Sequence, residues 1–314
     1  MQIGIDMMGG DYSPGAVIQG AILARKRLPA DMNIVLIGDQ DILARYSDEH
    51  HLDISGLSVV HTGDHVNMGD HPLKVFREKP GASLFLGQSM LKDGSLDGFC
   101  SAGNTGAVLV GAMQIINSLP GIIRPAIAAS IPQISGHPAV LLDVGLNPDA
   151  RPDVLYQYGA IGTIYSHLIH QIREPKVALL NVGLEEGKGN LVTKSAYALM
   201  MESEAYHFIG NFEANEMFIS ERAHVIVCDG FLGNMMLKQA EAFYKVLSFH
   251  GKDEGFFEMF NFENFGGTPV LGIQAPLLIG HGISNAKAIM NMLLHTAEVV
   301  EAGIVNSIKQ ELDR

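Results

Sequence analysis

The feature that most constrains the fold is a regular alternation of short apolar runs with longer helical patterns. The runs at residues 33–38 and 139–144 are almost wholly apolar, which is typical of strands buried on both faces. Between such runs, apolar residues recur at helical spacing, as at Val17, Ala21 and Ala24. The alternation predicts an α/β chain with a mostly parallel sheet covered by helices on both faces.

The organisation of the chain follows from the same pattern. The predicted strands are residues 3–6, 33–38, 57–61, 98–100, 139–144, 176–182, 224–228 and 276–279, and the longer predicted helices are residues 104–116, 153–172, 191–207, 232–249 and 284–302. No repeat or linker interrupts them, so we expect residues 1–314 to form one α/β unit, in which a second lobe would be an insertion. The aromatic-rich residues 245–268 are expected to protrude as a helical segment.

Composition excludes several classes of protein. With 21 basic and 34 acidic residues, the net charge of −13 argues against a nucleic-acid partner. Two cysteines cannot form a disulfide framework or a zinc pattern, and free thiols suit the cytoplasm. The first residues lack the basic region of a secretory signal. Residues 98–142 hold one formal charge, but their polar residues and prolines argue against a spanning helix.

Polar, glycine-rich loops follow six of the predicted strands. These loops are residues 6–11, 101–106, 143–147, 181–190, 229–234 and 280–285. In open α/β sheets, ligands bind at the edge where strands end, and glycine lets backbone N–H groups face an anion. Any single loop is explained equally well as a turn, but six together predict an anion or phosphate site.

Several familiar motifs are absent. The segment 183–188 resembles a P-loop, but only three residues separate its glycines, and Gly189 stands where Ser or Thr would bind magnesium. There is no GxGxxG after a strand, no HExxH and no GxSxG. The histidines show no zinc-ligand spacing, so neither a metal nor a cofactor is expected. Cys100 is either a nucleophile or a small buried residue, and no base lies near it in the sequence.

The loops together resemble the phosphate acyltransferases of bacterial phospholipid synthesis, from residue 1 to about residue 302. The family's motifs occur in order: DxMGGD at 6–11, SAGNTGA at 101–107, DVGxN at 143–147, NxGxE and KGN at 181–185 and 188–190, DGFxGN at 229–234, GGxPxLG at 266–272 and HGxSN at 281–285. The chain departs from the usual pattern at Leu146 and Leu191, and at Asn215, where the family commonly has an arginine.

The resemblance implies an enzyme that converts acyl-acyl-carrier-protein and orthophosphate to acyl phosphate. It also implies a fold similar to the isocitrate and isopropylmalate dehydrogenases and to phosphotransacetylase. A homodimer with its cleft near the dimer interface is the third expectation.

Four residues are candidates for the chemistry. Lys188 is the cation for phosphate or the oxyanion, Asn104 and Asn234 are neutral donors, and His281 would protonate the leaving thiolate. A loop-structuring role is the alternative for His281. The candidate phosphate- and substrate-binding residues are Gly9, Gly10, Asp11, Ser101, Gly103, Thr105, Gly106, Asp143, Asn147, Asn190, Asp229, Gly233, Lys238 and Ser284.

Two further surfaces are predicted. Lys74, Arg77 and Lys79 form a local basic run on an acidic chain, which favours docking of the acidic acyl carrier protein. Phe256, Phe257 and Phe260 would make peripheral membrane contact, or else pack in a dimer or core.

Three other functions stay open. A phosphotransacetylase would use coenzyme A as the thiol carrier on a related fold. A metal- and NAD-dependent dehydrogenase of that fold is disfavoured, since its carboxylate spacing is missing. A non-catalytic scaffold of lipid synthesis is disfavoured by the intact Lys188, Asn104 and Asn234.

Overall fold

The computed structural model describes residues 1–252 and 254–312. The chain divides into two compact units. Unit 1 is Met1–Ser118 with Phe262–Glu301, and unit 2 comprises the described residues of Leu119–Asn261 and Ala302–Arg314.

The strands and helices alternate along the chain. The strands are β1 (Gln2–Asp6), β2 (Asn33–Gly38), β3 (Leu57–His61), β4 (Gly98–Ser101), β5 (Ala126–Ile131), β6 (Ala139–Leu142), β7 (Lys176–Asn181), β8 (His207–Glu213), β9 (Val225–Val227), β10 (Gly267–Leu271) and β11 (Leu277–Gly280). The α-helices are α1 (Gly15–Arg25), α2 (Gln40–Glu49), α3 (Pro72–Glu78), α4 (Ser83–Lys92), α5 (Thr105–Gly111), α6 (Pro152–Leu168), α7 (Leu191–Met201), α8 (Gly230–Phe249), α9 (Phe262–Phe265), α10 (Ala286–Glu301) and α11 (Ile304–Leu312).

In unit 1 the strands lie in the order β3-β2-β1-β4-β11-β10. All neighbours are parallel except β10, which runs antiparallel to β11. The central strands β1 and β4 are almost entirely buried, because α4 and α10 pack against them. Their carboxyl ends, together with that of β11, therefore lie side by side at one edge of this sheet.

In unit 2 the strands lie in the order β5-β6-β9-β7-β8. Only β5 and β6 pair antiparallel. Helix α6 packs on β6, β7 and β9, which are buried, whereas the edge strand β8 is half-exposed over most of its length. The predicted α/β fold with a mostly parallel sheet is confirmed.

The sequence pattern missed three strands, β5, β8 and β10. The predicted helix at 191–207 runs into β8, whereas the structure ends α7 at Met201. Strand β8 contains Gly210 and is half-exposed, so it lacks the continuous apolar run that marked the buried strands. The stretch 98–142 forms β4, α5, β5 and β6.

No single helix among the described residues has both the length and the apolar character needed to cross a membrane. The consecutive helices α10 and α11 meet that test only when taken together. Eight residues of α10 are buried within the protein.

Candidate active site

In unit 1, a buried aspartate organises the ends of the strands. Asp6, the last residue of β1, accepts hydrogen bonds from Ser83 Oγ (2.6 Å), Ser101 Oγ (2.9 Å) and the backbone N–H of Met8 (3.2 Å). Burial raises the pKa of its carboxyl, and the hydrogen bonds from the two serines and Met8 act against that rise. Asp6 therefore ties the loop after β1 to the loop after β4.

Glycines bring these loops into backbone contact. A side chain on Gly9 would place its Cβ 2.9 Å from the backbone nitrogen of Gly103, closer than real Cβ atoms come. Gly10 has φ +109°, a conformation that favours glycine. Asp11 N–H donates to the carbonyl of Gly282 at 2.7 Å, which joins the loop after β11 to the same group. The structure thus brings together three of the predicted loops.

Asn104 caps helix α5. Its Oδ1 accepts from Ala107 N–H at 3.0 Å, as an N-cap side chain does. Its Nδ2 donates to the carbonyls of Met68 and Asp70, both at 2.9 Å, so both amide hydrogens are engaged. The side chain holds two loops in place, and Thr105 beside it is exposed. With the Asn104 amide engaged, a donor to a ligand here would be a backbone N–H or the hydroxyl of the exposed Thr105.

Three other predicted residues of unit 1 lie near these loops or at their helix. The His281 ring is half-buried, and its centroid lies 5.1 Å from that of Phe262. Ser284 is buried, and its Oγ has no hydrogen-bond partner among the described residues. Gly106 lets α5 approach α3, since a Cβ there would lie 2.6 Å from Pro72 Cγ.

The basic run lies on helix α3 and its C-terminus. Lys74 is 3.8 Å from Glu78, and Lys79 is 3.8 Å from Asp70. Arg77 is exposed in the last turn of the helix. Two of the three predicted cations therefore already have an acidic neighbour.

In unit 2, a second buried aspartate has different partners. Asp143, directly after β6, accepts from the backbone N–H groups of Ile127 (3.0 Å), Leu146 (3.1 Å) and Asn147 (2.6 Å). Burial raises the pKa of its carboxyl, against the effect of these hydrogen bonds. Asn147 Nδ2 donates to the hydroxyl of Tyr158 at 2.8 Å, which fixes the loop against α6. The departure from the family at Leu146 leaves this arrangement intact, because only its backbone is used.

The start of helix α8 closes over this aspartate. A Cβ on Gly233 would lie 1.9 Å from the Asp143 carbonyl oxygen, and one on Gly230 would lie 2.7 Å from Asp143 Oδ2. Asp229 caps the helix by accepting from Leu232 N–H at 2.7 Å. The glycines of this loop are therefore required for close packing of the helix on the strand end.

Asn234 and Lys238 follow on the same helix. Asn234 is exposed and faces Gly145, since a Cβ on Gly145 would lie 3.8 Å from Asn234 Oδ1. The ammonium of Lys238 is 2.8 Å from a carboxylate oxygen of Glu241. The structure thus brings Asn234 close to the loop that follows Asp143, while Lys238 pairs along its own helix.

Lys188 lies in an exposed loop between β7 and α7. Its ammonium is 3.9 Å from Glu185 Oε2, and both side chains are largely exposed. Asn190 caps α7 by accepting from Thr193 N–H at 2.9 Å. Asn181 Nδ2 donates to the carbonyl of Lys188 at 3.3 Å. The predicted cation therefore stands beside a helix N-terminus, a favourable place for an anion.

Both cysteines are buried. Burial raises the pKa of the Cys100 thiol to about 12, and Cys100 Sγ lies 3.7 Å from the carbonyl of Gly4. Burial also raises the pKa of the Cys228 thiol. A thiolate nucleophile is disfavoured at both positions. Among the described residues, no group of three or more His, Cys, Asp or Glu side chains is placed to hold a metal ion.

The aromatic-rich segment at residues 245–268 is unevenly buried: Phe256 and Phe260 are half-buried, whereas Phe249 is 87% exposed. Residue 253 lies outside the described part of the chain. The Phe256 ring is 5.5 Å from that of Phe260, which in turn lies 5.0 Å from Phe218. Phe257 is the most exposed of the three predicted membrane contacts, at 42%.

Sequence reasoning missed several residues that shape the loops. They are Ser83 beside Asp6, Tyr158 beside Asn147, and Asn211 beside the Lys188 loop. Ser83 lies 77 residues from Asp6 and Asn211 lies 26 residues from Glu185, so the local pattern carried no signal for either. Tyr158 is nearer, 11 residues beyond Asn147 on the next helix. Asn215, the departure from the family's arginine, is exposed in a 3₁₀ turn after β8.

The fold places the chain in a known structural class. A phosphotransacetylase from Streptococcus pyogenes superposes with a TM-score of 0.68 over 96% of this chain and 94% of that chain, at 18% identity. A putative 4-hydroxythreonine-4-phosphate dehydrogenase from Salmonella typhimurium superposes with a TM-score of 0.58 over 95% of this chain and 99% of that chain, at 11% identity. These likenesses show a shared fold.

The sequence comparison is more specific. Residues 1–255 match a family described as "Fatty acid synthesis protein". A phosphate acyltransferase from Listeria innocua is 37% identical over 100% of this chain and 97% of its own length. The chain belongs to the phosphate acyltransferase family. The predictions of the family, of the fold and of an acyltransferase enzyme are confirmed.

Proposed function

We propose that this protein transfers a fatty acyl group from the thioester of acyl carrier protein to orthophosphate. A phosphate oxygen forms a bond to the thioester carbonyl carbon, the C–S bond breaks, and the carrier thiol leaves with a proton. The product, acyl phosphate, is an activated acyl donor for phosphatidic acid synthesis. The observation that carries this proposal is the 37% identity, over the full chain, to a phosphate acyltransferase.

The proposed chemistry depends mainly on positioning. Orthophosphate near pH 7 is already a nucleophile, so the protein needs to hold it against the carbonyl rather than activate it with a strong base. Lys188 is the proposed cation for the phosphate or for the tetrahedral oxyanion. Its position beside the N-terminus of α7 supports this role.

Neutral donors and an acid complete the proposal. Asn234 and the backbone N–H groups of the glycine-rich loops are the proposed oxyanion donors, in place of the engaged Asn104 amide. His281 is proposed to protonate the leaving thiolate. Because both thiols are buried, direct transfer is favoured over an acyl-cysteine intermediate.

The test measures release of carrier thiol and formation of acyl phosphate from palmitoyl-acyl-carrier-protein, with and without orthophosphate. Phosphate-dependent appearance of both products supports the proposal. Turnover of acetyl-coenzyme A but not of the carrier substrate would assign a phosphotransacetylase instead. No turnover of either substrate would leave the non-catalytic scaffold or the dehydrogenase of the same fold.

Lys188→Ala tests the role of the cation. We expect kcat/KM for phosphate to fall by about 10²- to 10³-fold, the usual loss for a residue that stabilises developing charge. Lys194→Ala is the matched control, because Lys194 is an exposed lysine one turn into the following helix. Turnover of Lys188→Ala near that of Lys194→Ala would contradict the assignment.

We also propose that the basic run on α3 docks the acidic carrier. Arg77 offers the clearest test, since Lys74 and Lys79 have acidic neighbours. Arg77→Glu should raise the apparent KM for the carrier substrate and leave the KM for phosphate unchanged. Arg27→Glu, which reverses an exposed charge elsewhere in unit 1, is the control. An equal rise in the KM for the carrier substrate in the two variants would refute docking at α3.

A homodimer, a cytoplasmic location and peripheral membrane contact complete the proposal. Exposure of Phe257 supports the membrane contact, whereas packing of Phe260 on Phe218 supports a structural role for that ring. Phe257→Ser should weaken flotation with phosphatidylglycerol vesicles while sedimentation still reports a dimer. Unchanged flotation, or loss of the dimer, would count against this surface.

A further inference from the structure

A buried asparagine on strand β8 contacts the loop that carries Lys188. Asn211 is only 2% exposed, and its amide faces residues of the preceding strand and loop. Its Nδ2 donates to the carbonyl of Glu185 at 2.8 Å, and its Oδ1 accepts from Asn181 Nδ2 at 3.0 Å. We infer that Asn211 is a positioning residue, which fixes the Lys188 loop for phosphate transfer. This inference rests on the proposed function.

Asn181 extends these contacts to both ends of the loop. Its Oδ1 accepts from Val182 N–H at 2.9 Å, and its Nδ2 donates to the carbonyl of Lys188. Gly189, with φ +94°, has no room for a side chain, because a Cβ there would lie 2.5 Å from Asn181 Oδ1. The beginning and end of the loop are therefore bound to Asn181, while its middle is bound to Asn211 through Glu185.

An irregularity in the sheet places Asn211 at this point. Val177 lies opposite Phe208, but Leu179 lies opposite Asn211, so β8 contains one extra residue between the two pairs. Gly210, with φ +94°, occupies this bulge. A bulge changes which side chain faces a given neighbour. Without the extra residue, Leu179 would lie opposite Gly210, which has no amide side chain to offer the loop.

The backbone of Asn211 is held by Arg222. Arg222 Nη2 donates to the carbonyl of Asn211 at 2.8 Å, and the guanidinium lies 5.7 Å from the centre of the Phe212 ring. Arg222 also lies 3.4 Å from a carboxylate oxygen of Glu216. The asparagine is thus fixed through both its backbone and its side chain.

The loop conformation decides where the Lys188 ammonium points. The aliphatic part of Lys188 lies over Gly183, since a Cβ on Gly183 would be 3.0 Å from Lys188 Cγ. The Lys188 side chain is 51% exposed, and its acidic neighbour Glu185 lies on the same loop. Its direction therefore depends on the backbone that Asn181 and Asn211 hold, and a shift of about 1 Å in such a group costs about 100-fold in rate.

Two variants of Asn211 remove these contacts to different extents. Asn211→Leu keeps the approximate size and removes both hydrogen bonds. Asn211→Asp keeps the acceptor for Asn181, replaces the donor to Glu185 with an oxygen that repels that carbonyl, and adds a buried negative charge. Val225→Ala is the control for a purely structural loss, because it shortens a buried side chain on β9 without touching a polar group.

The experiment combines kinetics with hydrogen–deuterium exchange of the full chain without substrate. We expect both Asn211 variants to lower kcat/KM for phosphate at least tenfold, with the apparent KM for the carrier substrate within about twofold of wild type. Exchange should rise selectively in residues 182–190. Val225→Ala is compared with the Asn211 variants at conditions where all have lost the same amount of melting temperature. It should change neither kcat/KM for phosphate nor the exchange of residues 182–190.

Two results would overturn the inference. One is kinetics of the Asn211 variants that match those of Val225→Ala. The other is faster exchange spread evenly over β7, β8 and β9, with no preference for residues 182–190. If the wild-type protein forms no acyl phosphate, the proposed function fails, and the exchange measurement alone still decides whether Asn211 holds the loop.

Discussion

Units 1 and 2 each place a buried aspartate directly at the end of a central strand, but the two carboxylates are held by different chemistry. Asp6 accepts two of its hydrogen bonds from serine hydroxyls, at 2.6 and 2.9 Å. Asp143 accepts from the backbone N–H groups of Ile127, Leu146 and Asn147. Burial raises the pKa of both.

The two sets of hydrogen-bond partners tolerate substitution of the aspartate to different extents. A hydroxyl can rotate and act as donor or acceptor, so the surroundings of Asp6 can adapt to a different group. A backbone N–H can only donate, so the surroundings of Asp143 require an acceptor on both oxygens. The loop after β6 is therefore the more rigidly specified of the two, although both loops follow the same sequence pattern.

The largest expected effect concerns the helix that closes over Asp143. Gly233→Ala would place a Cβ 1.9 Å from the Asp143 carbonyl oxygen, which is backbone and cannot turn away. We expect a loss of at least about 3 kcal/mol in the free energy of unfolding, the upper end for overpacking. Thermal and urea unfolding followed by circular dichroism measure it.

The control for this substitution is Gly187→Ala in the same unit, where no atom lies within 4 Å of the added Cβ. It should change stability by less than about 0.5 kcal/mol, as exposed positions usually do. Similar melting temperatures for the two variants would show that α8 does not pack on the strand end as tightly as described.

The next largest effect is the difference in stability between the Asn variants of the two aspartates. Asp143→Asn must turn an NH₂ group toward backbone donors, leaving buried groups unpaired at about 1–3 kcal/mol each. In Asp6→Asn, Oδ1 keeps Ser83 and Met8 while the NH₂ group donates to Ser101, so we expect a loss of about 1 kcal/mol or less. Urea midpoints measure both, and equal losses would remove the proposed distinction.

The smallest effect is a pH dependence of unit 1. Because burial raises the pKa of Asp6 above its usual 3.8, the folded protein keeps this proton to higher pH than the unfolded chain does. The stability it contributes is full below pH 3.8 and is lost as the pH rises through the folded-state pKa. Asn at this position cannot titrate.

Wild type should therefore lose stability relative to Asp6→Asn between pH 4 and pH 7. Urea unfolding of both proteins at these two values measures the difference. A difference that is constant with pH, or that grows in favour of wild type, would mean that hydrogen bonding outweighs burial at Asp6.

Much of the site could be predicted from the sequence, because glycine and polar residues directly follow apolar strands. The loops at 6–11, 101–106 and 280–285 meet as expected, since parallel neighbouring strands end at one edge. The engagement of the Asn104 amide could not be predicted, because its partners Met68 and Asp70 lie more than 30 residues away in the chain. Strand β8 was missed because a half-exposed strand with a bulge lacks a clear period.

The α/β alternation, the family and the order of the glycine-rich loops could be predicted from the residues alone, because these depend on local residue type and spacing. The hydrogen-bond partners of each polar group depend on the folded chain: hydroxyls for Asp6, backbone N–H groups for Asp143, and Asn211 for the Lys188 loop. A buried polar group must find a partner wherever the fold supplies one, and separation along the sequence does not limit that choice.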